Sequence, residues 1–92
     1  MHEHCYIVAY DLCQPGRDYS SLIAAIKSFS HWGKLTESTW AVISDKSAIE
    51  ICDYLLRLID MNDRLLVVES GKNAAWIRMQ ASDEWIKTNI IK

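Results

Sequence analysis

Asp11 is the residue with the most chemical promise in this chain. It stands near the end of an otherwise apolar run, Cys5-Tyr-Ile-Val-Ala-Tyr-Asp-Leu12, where an isolated charge is expensive to bury. Two copies of Asp11 facing each other across a twofold axis would offer oxygen ligands to a hard cation such as magnesium. A metal held there would polarise a phosphate and activate water, the chemistry of a metal-dependent nuclease. Asp45 and Asp63 are expected on the same rim, at the end of the third strand and the start of the fourth. The plainer alternative makes Asp11 the start of a loop, bonded to the turn through Gly16, with Asp45 and Asp63 as solvated turn residues.

Phosphate contacts need Lys or Arg in the right places. Arg17, Lys34, Arg64, Lys72 and Arg78 are the candidates, and Arg17 and Arg64 flank the Asp11 rim as nucleic-acid-binding residues. Trp32, Trp40 and Tyr10 would suit base stacking, although aromatic residues on strands ordinarily pack in a core or an interface. His2, His4 and Cys5 resemble a short metal-binding tract. His31, expected in a loop, is a lone titratable group without a partner in sequence. Cys13 follows Asp11 closely but has no basic neighbour fixed in place to activate its thiol. Asp60-Met-Asn-Asp63 lacks the length, Gly and final Glu of a calcium loop. The chain has no phosphate-cradling Gly-rich motif, Ser-His-Asp order or paired CxxC.

The whole chain constrains these options. It has 92 residues, half of them hydrophobic, with 10 Lys and Arg against 12 Asp and Glu. The net charge of −2 argues against a strong non-specific nucleic-acid binder. Three Gly and one Pro exclude a low-complexity or collagen-like chain. Three cysteines are too few for a disulfide scaffold, and no leader-like or membrane-length apolar run is present. A cytoplasmic protein with reduced thiols is the expectation. A chain of this size buries only about 60–65% of its unfolded surface, so partnership would add useful stability.

The elements that must position Asp11 follow from periodicity and turn chemistry. The run 5–12 reads as a first strand. Asp18 reads as the N-cap of a helix over 19–29, whose large apolar residues at 19, 22, 23, 26 and 29 share one face. A hairpin follows, with a strand at about 32–36 and a stronger one at 39–43. Ser47 and Glu50 form a capping box before a helix at about 48–59, whose inward face is Ile51, Cys52, Leu55 and Ile59. Arg64-Leu-Leu-Val-Val-Glu69 is the last core strand, and Ser82 caps a final short helix. The order β-α-β-β-α-β with a C-terminal extension predicts an α+β, ferredoxin-like sandwich. One domain is expected, with a core at about 5–70 and an extension at about 71–92. The first and third strands are expected parallel at the centre. Strands one and four are apolar on both faces, so the face away from the helices should meet either a second subunit or the C-terminal segment. A homodimer is the simpler expectation, with Trp76 and Trp85 as contributors.

Tyr10-Asp11 closing the first strand, a loop with an Arg, and an amphipathic helix resemble the small CRISPR-associated ferredoxin-like endonuclease that accompanies the spacer integrase. Ser38-Thr-Trp-Ala-Val42 and Asp63-Arg64-Leu-Leu-Val67 are similar to that family's third and fourth strands. The resemblance spans about residues 5 to 70 and is closer still to uncharacterised small relatives of that endonuclease; virulence-associated D-type ribonucleases are related in fold. It implies a ferredoxin-like homodimer. Some members cleave phosphodiesters with a metal, and others hold DNA without cutting it. Residue by residue it implies Asp11 as the metal-binding, catalytic carboxylate, with magnesium as its cofactor. The family's Arg-rich loop is represented by Arg17 alone. The alternative is a non-catalytic dimeric binding module, or a defence accessory of the toxin–antitoxin or inhibitor type.

Overall fold

The computed structural model describes residues 3–13 and 18–90. Alternation of Tyr6, Val8 and Tyr10 with Cys5, Ile7 and Ala9 produces strand β1, His4–Asp11, with apolar side chains on both faces. Helix α1, Ser20–Ile26, carries Leu22, Ala25 and Ile26 into the core. It is shorter than its apolar spacing predicts, because Lys27 already ends the helix, yet Phe29 still packs on the same core. Asp18 sits one position outside the cap, which is Tyr19; the Asp18 carboxylate accepts the Ser20 N–H at 2.9 Å. The hairpin forms as expected, from β2, His31–Thr36, and β3, Thr39–Ser44. His31 therefore opens a strand rather than lying in a loop. Helix α2 is Ala48–Leu56, β4 is Arg64–Glu69, and helix α3 is Asp83–Asn89.

The result is an α+β fold with one four-stranded sheet in the order β2-β3-β1-β4. Every neighbouring pair is antiparallel, so the expected parallel pairing of β1 with β3 is wrong. The reason is connectivity. The α1 crossover returns β2 in the direction of β1, and the tight hairpin then reverses β3. Registers of His4 with Ser44 and of Asp11 with Arg64 place the end of β3 at the start of β1.

Two apolar clusters flank the sheet. On one face α1 and α2 enclose Tyr6, Val8, Leu22, Ile26, Trp40, Val42, Ile51 and Leu55. On the other, Cys5, Leu35, Ala41 and Ile43 pack against Ile86 and Ile90, with Trp76, Met79 and Trp85 beside them. The C-terminal segment thus covers in cis much of the face for which a second subunit was the simpler expectation. Gly33 shows how closely it does so: a Cβ there would stand 2.8 Å from the Trp85 ring. Among the described residues, no helix is long and apolar enough to cross a membrane.

The caps of α2 and α3 match their sequence signals. Ser47 Oγ accepts the Glu50 N–H at 3.2 Å, and Glu50 Oε1 accepts the Ser47 N–H at 3.0 Å. Ser82 Oγ accepts the Trp85 N–H at 3.1 Å. Ser47→Ala is expected to lower unfolding stability by about 1 kcal/mol, read from the urea midpoint. The Ser47 backbone bond holds the Glu50 carboxyl below its usual range. Its contribution is therefore present above the unfolded-state pKa and lost as pH falls through the lower folded one. Glu50→Gln should flatten that acid-side slope.

Candidate functional site

The Asp11 rim is built where β1 ends beside the start of β4. Asp11 and Arg64 are register partners, and Arg64 Nη1 donates to Asp11 Oδ2 at 2.8 Å. Both side chains are open to solvent, 62% and 77% exposed, so this ion pair adds little to stability. Its effect is local: Arg64 neutralises the carboxylate that sequence reasoning marked as a metal ligand. A shallow depression of about 280 Å³ lies beside it, lined by Ala9, Tyr10, Asp11, Arg64, Leu65 and Leu66.

Asp63 belongs to the same rim but serves the backbone. Its Oδ1 accepts the Cys13 N–H at 2.7 Å, and its Oδ2 accepts both the Tyr19 hydroxyl and the Asp60 N–H at 2.7 Å. One carboxylate thereby ties the segment after β1, the start of α1 and the loop before β4. Cys13 Sγ lies 3.8 Å from the Asp11 carbonyl oxygen, a weak contact. Asp45 is not on this rim. It follows β3 and lies at the opposite end of the sheet, by the same antiparallel register that reverses β3. Arg17, His2 and Gly16 lie outside the described residues. His4 opens β1, with its Nδ1 3.2 Å from Glu69 Oε2.

These donors suit magnesium poorly within one chain. Asp11 has one oxygen engaged by a guanidinium, and both oxygens of Asp63 accept hydrogen bonds. No cluster of three or more His, Cys, Asp or Glu side chains that could hold a metal occurs among the described residues.

The aromatic candidates separate by burial. Trp40 is only 2% exposed, and its Nε1 donates to the Tyr10 hydroxyl at 3.0 Å, so both are committed to packing. Trp32, 39% exposed on β2, packs tilted on Trp40 with centroids 5.7 Å apart. Lys27 Nζ stands 5.3 Å from the Trp32 centroid, and Lys34 Nζ stands 5.6 Å from that of Trp40. Lys34 also pairs with Glu37 at 3.5 Å. The accessible Trp32 indole thus has one ammonium group, that of Lys27, over its ring, and a second, that of Lys34, over the neighbouring Trp40, an arrangement whose chemistry suits a stacked base and an adjacent phosphate.

Sequence reasoning missed a cleft of about 480 Å³ at the end of the sheet away from Asp11. Ser28 and Tyr54 place their hydroxyls 3.4 Å apart in its wall, with Glu3, Asp45 and Glu50 around them. Its residues are scattered from 3 to 54, and no short motif joins them. The chain matches no family model, and searches of curated proteins and of solved structures likewise return no match.

Proposed function

We propose that the protein is a homodimeric binding module with a ferredoxin-like arrangement, similar in plan to the CRISPR-associated endonuclease family, that holds nucleic acid without cleaving it. The observation carrying this reading is the Asp11–Arg64 pair: the Asp11 carboxylate is already matched to a guanidinium of its own chain at 2.8 Å. The element order and the β2-β3-β1-β4 sheet favour the ferredoxin-like plan. The contact chemistry in this reading is that of Trp32 with Lys27 over its ring, and of Lys34 over the adjoining Trp40.

Fluorescence anisotropy with labelled single-stranded RNA and DNA tests binding, and gel analysis of the same mixtures tests cleavage. Binding is expected to weaken with salt, to be indifferent to chelator, and to leave the oligonucleotide intact. Trp32→Ala should reduce affinity by roughly 5- to 100-fold, the worth of one stacked base. Magnesium-dependent cleavage that disappears in Asp11→Asn would replace this reading with that of a nuclease. Absence of binding to either strand type would remove the nucleic-acid partner from it.

A further inference from the structure

We infer that the cleft between the ends of α1 and β3 and the start of α2 binds a small aromatic amine, an ammonium group on a ring that also carries a hydroxyl. The site is separate from the Asp11 rim and independent of the nucleic-acid reading.

Size and lining suit a small molecule. The volume of about 480 Å³ falls within the roughly 300–1,000 Å³ that small-molecule sites occupy. Ile51, fully buried, gives the cleft an apolar wall. Phe29 and Tyr54 line it as an edge-to-face pair, with centroids 6.2 Å apart and planes at 84°. A ligand ring would extend that aromatic pair, and an ammonium group is attracted to the face of either ring.

Charge decides the sign of the ligand. Glu3, Asp45 and Glu50 line the cleft against one cation, Lys46. Helix α2 begins here, and a helix start ordinarily draws anions. That end is already occupied, because Ser47 and Glu50 accept each other's N–H groups. Asp45, by contrast, makes no hydrogen bond or ion pair among the described residues. The same carboxylates would repel a polyanion, so the cleft is no extension of the Trp32 surface.

The hydroxyl groups agree with that sign. Ser28 Oγ donates to the Ala25 carbonyl at 2.5 Å. The proton it shares with Tyr54 across 3.4 Å is therefore the tyrosine's, which leaves the Tyr54 oxygen as an acceptor. Ser30 has two acceptors within reach of its single proton, Glu3 Oε2 at 3.3 Å and the Ile43 carbonyl at 3.4 Å. Lone pairs and negative charge are what an ammonium group, with donors and no acceptor, requires.

Ser44 adds the opposite polarity. It is 6% exposed, lines the cleft, and shares the helix side of β3 with Trp40 and Val42. Its Oγ accepts the Lys46 N–H at 3.0 Å, while its own proton has no acceptor among the described residues. A buried donor left unmatched is costly, and a hydroxyl oxygen on the bound ring would match it.

Titration of the isotope-labelled full chain with tyramine, followed by amide shifts, tests the site. Tyramine should bind saturably, with a dissociation constant below about 1 mM, and should move the amides of residues 28–30, 44–46 and 54. Phenylethylamine, which lacks the hydroxyl, should bind about 5-fold more weakly. Ser44→Ala should erase that difference. The para-hydroxyphenylacetate anion, with a carboxylate in place of the ammonium, should not bind. Glu3→Gln combined with Asp45→Asn, both at exposed positions, should weaken tyramine by about 5- to 10-fold and leave the circular dichroism unchanged. No saturable shift with tyramine, equal binding of the anion, or unchanged affinity in the double variant would overturn the site. Equal binding of the two amines would overturn the requirement for a hydroxyl.

Discussion

Replacing Ile86 with Asp is expected to release the C-terminal segment from the sheet and to remove most of the protein's stability. Ile86 is 1% exposed and packs in the cluster with Cys5, Leu35, Ala41 and Ile43. An unpaired carboxylate at that position costs several kcal/mol, in addition to the lost apolar burial of about 1.5–3 kcal/mol. A chain of this length has only about 5–14 kcal/mol in total. Ile86→Ala, a cavity without a charge, should cost about 2–5 kcal/mol. Denaturant unfolding measures both, and binding of an apolar dye reports the uncovered face. Wild-type midpoints in both variants would mean that the segment does not contribute to the folded core.

The second large effect is expected at Asp63. Its carboxylate accepts three bonds of 2.7 Å from Cys13, Tyr19 and Asp60, linking segments 44 and 50 residues distant in the chain. Hydrogen bonds to charged groups contribute about 1.5–3 kcal/mol each. The site is half-buried and the three share one acceptor group, so Asp63→Ala should cost about 3–4 kcal/mol in all. Asp63→Asn keeps one acceptor oxygen and should lose roughly half as much. Amide exchange in residues 60–63 and 12–13 should rise with the Ala variant, because their anchor is gone. Unchanged exchange there would remove Asp63 from its role as the rim's anchor.

The sequence carried some of this plainly. Ser47 with Glu50, and Ser82 before Asp83, are local chemical signals, and both helix starts follow them. Two-sided apolar strands correctly required a cover on each face. What local pattern does not encode is direction: Thr39–Ser44 alternates in the same way whether it runs with or against β1. That single ambiguity misplaced Asp45. The cover from Trp76 to Ile90 was harder to read, since its contacts at 76, 79, 85, 86 and 90 follow no helical or strand period before α3. Asp11 was legible as unusual, but its state depends on Arg64, 53 residues away in sequence and adjacent only through the ladder.

The cover over the sheet also has a place in time. It follows β4 in the chain, so during synthesis the fourth strand is complete before Ile86 exists. About seventeen residues separate Glu69 from Ile86, roughly 1–3 s of translation at ordinary elongation rates. Until the segment docks, Ala41 and Ile43 have no shield on that face.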